Sequence, residues 1–247
     1  PMIGEIKKKG DHIILPGIGR PTVRDYDPDT DIDLDNVATY KQDFYITQAK
    51  YVNQKVDDID EAQSEMDVFN PAIREAKLEL AETLDSYLAG FYTSAGNTVT
   101  NADTTATSII GSLAEANQKL LEAKVRKNEE KFLVLSPAVY TKLILGKLVF
   151  STSNEKTMDT GYIGNFLDFK VYVSNSIKKT GDINHCMAFT RKAMAYAEQI
   201  PASKVKIYDI EKRFASAFKV LHLYGGDVIR PEELVVLNLT PGTESVV

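Results

Sequence analysis

The sequence predicts an α+β fold, and three observations carry that prediction. Apolar residues recur at steps of three and four over residues 59–91 and again over 109–120, the period of an amphipathic helix. At the C-terminal end they alternate instead, through "KVKIYDI", "FASAFKVLHLYG" and "ELVVLNL", which is the period of a strand. No regular strand–helix–strand rhythm connects the two regions, so a doubly wound parallel sheet is not expected.

Taken in order, residues 1–46 hold short extended runs, "GEIKKKGDHIIL" and "TVRDYDPDTDIDL", around turn signals. Gly10 and Asp11 mark one turn, and Pro16, Gly17, Gly19 and Pro21 mark another. Few large apolar residues fall on one face, so this polar hairpin has no core of its own and must lie on the rest of the chain or on another chain. From Asp57 onward, Ile59, Ala62, Met66, Phe69, Ile73, Ala76, Leu80, Leu84, Leu88 and Phe91 form one helical stripe. Asp60, Glu65, Lys77, Glu79, Glu82 and Asp85 lie opposite, on a solvated or subunit-facing side. Pro71 lacks an N–H and disfavours a mid-helix position. The spacing therefore predicts a short helix to about Asn70 and a longer one with Pro71 in its first turn, ending near Gly90.

Residues 93–103 read as polar loop, and a helix follows with Ile109, Leu113, Ala116 and Leu120 on one face. "FLVLS" (132–136) is a buried strand, and Ser136-Pro137 supplies the N-cap and first residue of a further helix. Residues 151–165 are loop-rich, "FKVYVSN" (169–175) is a strand, and "MAFTRKAMAYAEQ" (187–199) is strand or helix.

Composition narrows the function classes. The 247 residues, 43% of them hydrophobic, suffice for one large domain or two small ones with a packed core. Net charge is -6, which disfavours a module that grips nucleic acid by neutralising phosphates. The single cysteine, Cys186, has no disulfide partner in the chain and fits a reducing compartment. His185 stands beside it, but no second Cys-His pair completes a zinc site, so a partly buried free thiol is expected. No segment has the apolar length of a membrane span, and the start shows no secretory signal pattern. The first residue is Pro1 rather than Met, which is consistent with N-terminal trimming.

The most conspicuous local pattern is "RDYDPDTDIDLDN" (24–36), with Asp25, Asp27, Asp29, Asp31, Asp33 and Asp35 at every second position. A calcium loop of the EF-hand type needs Gly at its sixth position and Glu at its twelfth. Starting from Asp25, Asp27 or Asp29, those positions hold Thr30 and Asn36, Ile32 and Ala38, or Leu34 and Tyr40, so every register fails. In an extended segment the carboxylates share one face and form an acidic ridge facing solvent or a basic partner. "DDIDE" (57–61) is explained by the preference for acidic residues in a first helical turn. "GIG" (17–19) is too short for a dinucleotide fingerprint, and Gly146-Lys147 lacks the rest of a phosphate loop. His12, His185 and His222 sit in no recognised motif, and Lys7, Lys8 and Lys9 form the one basic cluster. No catalytic, cofactor or metal site is expected. A calcium-dependent binding protein and a small hydrolase remain as alternatives of other classes. The hydrolase is disfavoured because no nucleophile, base and orienting group can be read together.

Several stretches in order resemble the major capsid protein of tailed bacteriophages, the Hong Kong 97 type of shell fold. "GEIKKKGDHIILPGIGRPTVRDY" is similar to the family's extended loop. "FYITQAKYVNQKVDDIDEAQSEMD" and "LAETLDSYLAG" resemble the run into its long spine helix and that helix's second half. "FLVLSPAVYTKLI", "GYIGNFLDFKVYVSN", "AMAYAEQI" and "YGGDVIRPEELVVL" resemble the strand–Ser-Pro–helix unit, the Val-x-Val-Ser-Asn stretch and the closing strands. Two positions depart from the pattern: Arg126 replaces a frequent Pro, and Asp168 replaces a frequent Gly.

The resemblance implies an extended loop over 1–46, a peripheral domain over 47–92 and 198–230, and an axial domain over 93–197 and 231–247. It implies a non-enzymatic subunit that assembles in the bacterial cytoplasm into pentamers and hexamers of an icosahedral head around double-stranded DNA, which it does not bind specifically. Scaffold, portal and decoration proteins are the implied partners. An encapsulin-like nanocompartment shell is the alternative on the same fold. The family's N-terminal arm does not precede the loop here, through maturation cleavage or because the sequence begins after it. Lys7, Lys8, Lys9, Arg20, Arg24, Asp27, Asp29 and Asp31 are the expected inter-subunit contacts.

Overall fold

A computed structural model of the chain describes residues 12–18, 23, 36, 39–57, 69–105, 108–126, 129–145, 162–211 and 215–242. The polar N-terminal region forms a two-stranded antiparallel ladder of β1 (His12–Ile18) and β2 (Thr39–Tyr45), with no third strand among the described residues. Pro16 and Gly17 belong to β1 rather than to a turn. A strand with a partner on only one side tolerates Pro, because its missing N–H can face away from the ladder. β3 (Gln48–Asp57) leads on, and α1 (Phe69–Ala89) follows with Pro71 in its first turn and a 3-10 turn, Gly90–Ser94, at its end. The shorter helix expected before Asn70 falls mostly on residues outside those described.

Residues 97–104 form β4 (Asn97–Thr104), where a polar loop was expected. Its side chains are mostly polar, but Val99 and Thr104 are buried, and its backbone pairs in parallel with the last described strand, residues 234–241. Tertiary pairing outweighs composition there. α2 (Ser108–Glu122) opens with reciprocal bonds between Thr105 and Ser108: each backbone N–H donates to the other's hydroxyl. It ends with Lys124 at φ 60, which lets the Val125 N–H reach the Leu120 carbonyl. β5 (Lys131–Leu135) runs into Ser136, whose Oγ accepts from the Val139 N–H, and α3 (Pro137–Leu145) begins at the predicted Ser-Pro.

β6 (Tyr162–Phe166) and β7 (Phe169–Val173) form a tight hairpin, with Leu167 at φ 46 and Asp168 at φ 68. A two-residue turn with both centres left-handed matches the twist of its strands. Asp tolerates that conformation at the position where a frequent Gly was missed. β8 (Lys179–Thr180), β9 (Ile183–Thr190), β10 (Met194–Ile200), β11 (Val205–Asp209), β12 (Ala215–Val228) and β13 (Leu234–Pro241) complete the described elements. "MAFTRKAMAYAEQ" is thus two strands joined by a short turn.

The strands divide into separate sheets. β12 carries β3 along one side, and β11 and β10 end to end along the other. α1 covers one face of this sheet, where Ala76 and Leu80 pack on Phe218 and Val220 and Phe69 stands edge-on to Phe218. The larger sheet runs β4-β13-β9-β5-β7-β6, with β8 on β9. On one face lie α2 and α3, and all four helix positions named from the sequence (Ile109, Leu113, Ala116, Leu120) are fully buried against Leu133, Leu135, Val171 and Leu237. On the other face Met187 and Leu234 meet Ala89, Phe91 and Tyr92 at the end of α1.

A buried carboxylate ties the β9–β10 turn to the start of β13. The Thr190 hydroxyl and the Arg230 guanidinium both donate to Glu233, whose side chain is almost wholly buried. Burial alone would push this carboxyl's pKa up, but the bonds from Thr190 and Arg230 and the nearby Lys192 outweigh it and hold the pKa below the usual value. A depressed carboxyl contributes stability that is present above its unfolded-state pKa and is lost as pH falls through the folded value. Glu233→Ala is expected to cost about 2–3 kcal/mol at neutral pH, since it strands Thr190 and Arg230. Denaturant melts across acidic pH should show a shallower acid-induced loss in the variant than in the parent.

Candidate assembly interface

The sequence of the β1–β2 ladder is polar, so how the ladder is anchored decides what it can do. At its base Phe44 is buried while Tyr45 is half exposed, and the Tyr45–Ile46 backbone crosses β12 at Gly225. A Cβ on Gly225 would sit 2.3 Å from the Tyr45 carbonyl oxygen and 2.9 Å from the Ile46 Cα. Only glycine permits that approach of two backbones. Gly226, its neighbour, faces the rings and methyls of Phe91 and Leu88.

Beyond this crossing, the face of the smaller sheet opposite α1 is open. Register sets Asn53, Lys219 and Lys206 in one row across the three strands, Lys55, Ala217 and Tyr208 in another, and Tyr51 beside Leu221. Tyr51 is 75% exposed and Leu221 41%. The Tyr208 hydroxyl donates to Asn53 at 2.9 Å, and the Lys219 ammonium lies 4.8 Å from the Tyr208 ring centre. The other side of the layer is acidic, because α1 turns Glu75, Glu79, Glu82 and Asp85 outward. Burial, and then the neighbouring Glu82, push the Asp85 carboxyl's pKa up. Asp85 stands at the rim of a cleft of about 510 Å³ between α1 and the larger sheet, floored by Phe132, Tyr172, Met187 and Phe189.

Most titratable groups in the interior have structural partners, although His222 Nδ1 and the Tyr224 hydroxyl have none among the described residues. His185 stacks on Tyr92 with ring centres 4.1 Å apart, and its nitrogens meet Asn238 at 2.7 Å and Thr180 at 2.9 Å. Cys186 points to the opposite face of β9, where burial pushes its thiol up to about 11, far from a reactive thiolate. His222 is buried and meets Glu198 at 3.0 Å. The Tyr196 hydroxyl also donates to Glu198 and, together with His222, holds that carboxyl's pKa below the usual range against the effect of burial. Among the described residues, no three His, Cys, Asp or Glu side chains gather as a metal set.

The contact residues expected from the sequence, Lys7, Lys8, Lys9, Arg20, Arg24, Asp27, Asp29 and Asp31, lie outside the described residues. Sequence reasoning missed Gly225 as the anchor and Lys206 and Lys219 as a pair. "KVKIYDI" and "FKVLHLY" carry both lysines in plain view, but only strand register shows that they face the same way.

A family model described as phage capsid protein matches residues 36–237. Among solved structures, the fold is similar to a chain of Mycobacterium phage Che8, at 28% identity and TM-score 0.74, covering 95% of this chain and 86% of that one. It is also similar to a chain in the capsid of cyanophage P-SCSP1u, at 16% identity and TM-score 0.73, covering 94% and 84%. The SrpI encapsulin of Synechococcus elongatus PCC 7942 shares the fold at 13% identity and TM-score 0.65, covering 85% and 80%. No curated protein is significantly similar in sequence.

The Gly225 crossing is open to test. Gly225→Ala should leave the helical and strand content of the subunit intact, because the clash lies at the loop base and not in a core. Hydrogen exchange at residues 44–47 should rise at least tenfold in the variant; unchanged protection there would show that the crossing anchors nothing.

Proposed function

The chain belongs to the phage capsid protein family and is a major capsid shell protein of the phage virion, and from that premise we propose that it self-assembles as pentamers and hexamers into an icosahedral head around double-stranded DNA. Assembly takes place in the host cytoplasm with scaffold, portal and decoration proteins as partners, and the subunit performs no catalysis. The observation that carries this proposal is the two-stranded β1–β2 ladder seated on β12 at Gly225, in a region whose polar sequence supplies few apolar residues for a core and which would gain a packed face from another subunit. The extended loop spans 1–46, the peripheral domain 47–92 and 198–230, and the axial domain 93–197 and 231–247. The cluster around Leu80 and Phe218 falls within the peripheral bounds and the one around Leu113 and Leu237 within the axial bounds, which supports the division, while β10 crosses the 197–198 bound to pair with β12. The nanocompartment alternative rests on likeness of fold alone.

Within the extended loop, Lys7, Lys8, Lys9, Arg20, Arg24, Asp27, Asp29 and Asp31 are the inter-subunit contacts of this proposal. Electron microscopy of the purified chain under assembly conditions, with scaffold supplied, should show closed shells; a persistent monomer would overturn it. Asp27→Asn, Asp29→Asn and Asp31→Asn together should change the salt dependence of shell formation and leave the melting temperature of the free subunit unchanged. Loss of the subunit fold, with normal assembly of what survives, would assign the ridge to the subunit's own structure.

A further inference from the structure

The cleft between α1 and the larger sheet joins an apolar floor to an acidic rim. Its volume of about 510 Å³ lies within the ~300–1,000 Å³ range of ligand pockets. Phe132, Tyr172, Met187, Phe189, Met194 and Tyr196 line it, each held on a strand. Aromatic rings beside unbranched, polarisable Met side chains make a surface that adapts to apolar partners of differing shape. Along α1 the carboxylates of Glu75, Glu79, Glu82 and Asp85 recur at steps of four and three, and this stripe ends at the rim. Arg74 and Lys77, the basic residues of α1, belong to its first half. The Lys178 ammonium donates to Ser86 at 2.6 Å, and the charged neighbour that acts on Asp85 is another acid, Glu82. Arg191 also lines the cleft and has its own acidic neighbour in Glu130. A carboxylate held against apolar walls is short of water, so a cation brought there pairs with it more strongly than in bulk solvent.

We propose that this cleft is the docking site for a basic amphipathic helix of another protein, whose apolar side chains fill the floor while its Lys or Arg residues meet Asp85 and Glu82. Charge complementarity and the lining together select this occupant. A groove-bound helix presents its anchors at steps of three and four. Those are the steps of the α1 carboxylates, so a helix lying along α1 can pair a cation with them turn after turn. Nucleic acid is disfavoured by the same carboxylates, and a small free amine would leave the aromatic floor unfilled. A second copy is a poorer match, because the chain carries a net charge of -6. The inference goes beyond the shell reading and does not rest on it, since one subunit lines the cleft.

Peptide binding to the free full-length subunit tests this. The probe is a labelled, end-capped peptide of Leu and Lys patterned as an amphipathic helix of ~14 residues, about four turns. Two controls keep the pattern, one with Glu in place of Lys and one with Ser in place of Leu. The Leu/Lys peptide should bind, scored by fluorescence anisotropy, and should raise hydrogen-exchange protection at residues 132–134, 172–174 and 187–196. E82K/D85K should weaken that binding about tenfold or more. The milder E82Q/D85N serves in case the reversal perturbs folding, and should also weaken it. M194Q tests the apolar floor and should lower affinity with the melting temperature of the subunit unchanged. Equal binding of either control peptide, protection confined to other segments, or full affinity in E82K/D85K and M194Q would overturn the docking. Self-association of the subunit that protects the same segments and expels the peptide would overturn it in favour of a second copy. A chain that binds the peptide at this cleft yet never forms shells would support the docking while overturning the shell function alone.

Discussion

One strand constrains the rest of the molecule. β12 pairs along one edge with β3 and along the other with β11 and β10, so its backbone donors and acceptors are used on both sides for most of its length. Its alternate side chains serve two different environments. Phe218, Val220 and Tyr224 meet α1, while Lys219 and Leu221 stand on the open face. The Gly225-Gly226 pair extends that division into the backbone. The first glycine admits the base of the extended loop, and the second admits the end of α1. A side chain at either position would move an element on its own face, so two adjacent residues fix the placement of loop and helix together.

Much of this was legible because local periodicity and tertiary demand agree. The stripe of α2 and the Ser-Pro start of α3 are settled by short-range chemistry, and all four apolar positions of α2 sit in the core. The alternating C-terminal runs became β11, β12 and β13 for the same reason. β4 was missed because its residues are polar and its strand state comes from a partner far away in sequence. Pro16 and Gly17 looked like a turn because those residues usually break strands, and the one-sided ladder removes the penalty. The candidate interface was the least legible. A surface is made by register between strands, and the sequence states the residues without stating which of them are neighbours.

Charge is distributed so that a subunit is only half complementary to itself. The outer side of α1 and the segment 24–36 are acidic, while the open face of the β3–β12–β11 layer is basic. Such a subunit repels copies in most orientations and favours a few. Electrostatic selection of this kind contributes more to register and partner choice than to raw affinity, and it is tuned by ionic strength. The interior polar groups play the opposite part. Buried Glu233, and Glu198 beside buried His222, are fixed by internal bonds that stiffen the framework.

The parallel pairing of β4 with β13 bears on how the subunit comes into being. The two strands lie more than half the chain apart in sequence, and β13 also zips onto β9 in the centre of the same sheet. Contacts this non-local slow folding, since loop-closure entropy is met before they form. During synthesis the larger sheet therefore lacks its penultimate strand until residues 234–241 have left the ribosome. A chain still short of β13 has no finished larger sheet, so this half of the subunit is completed late.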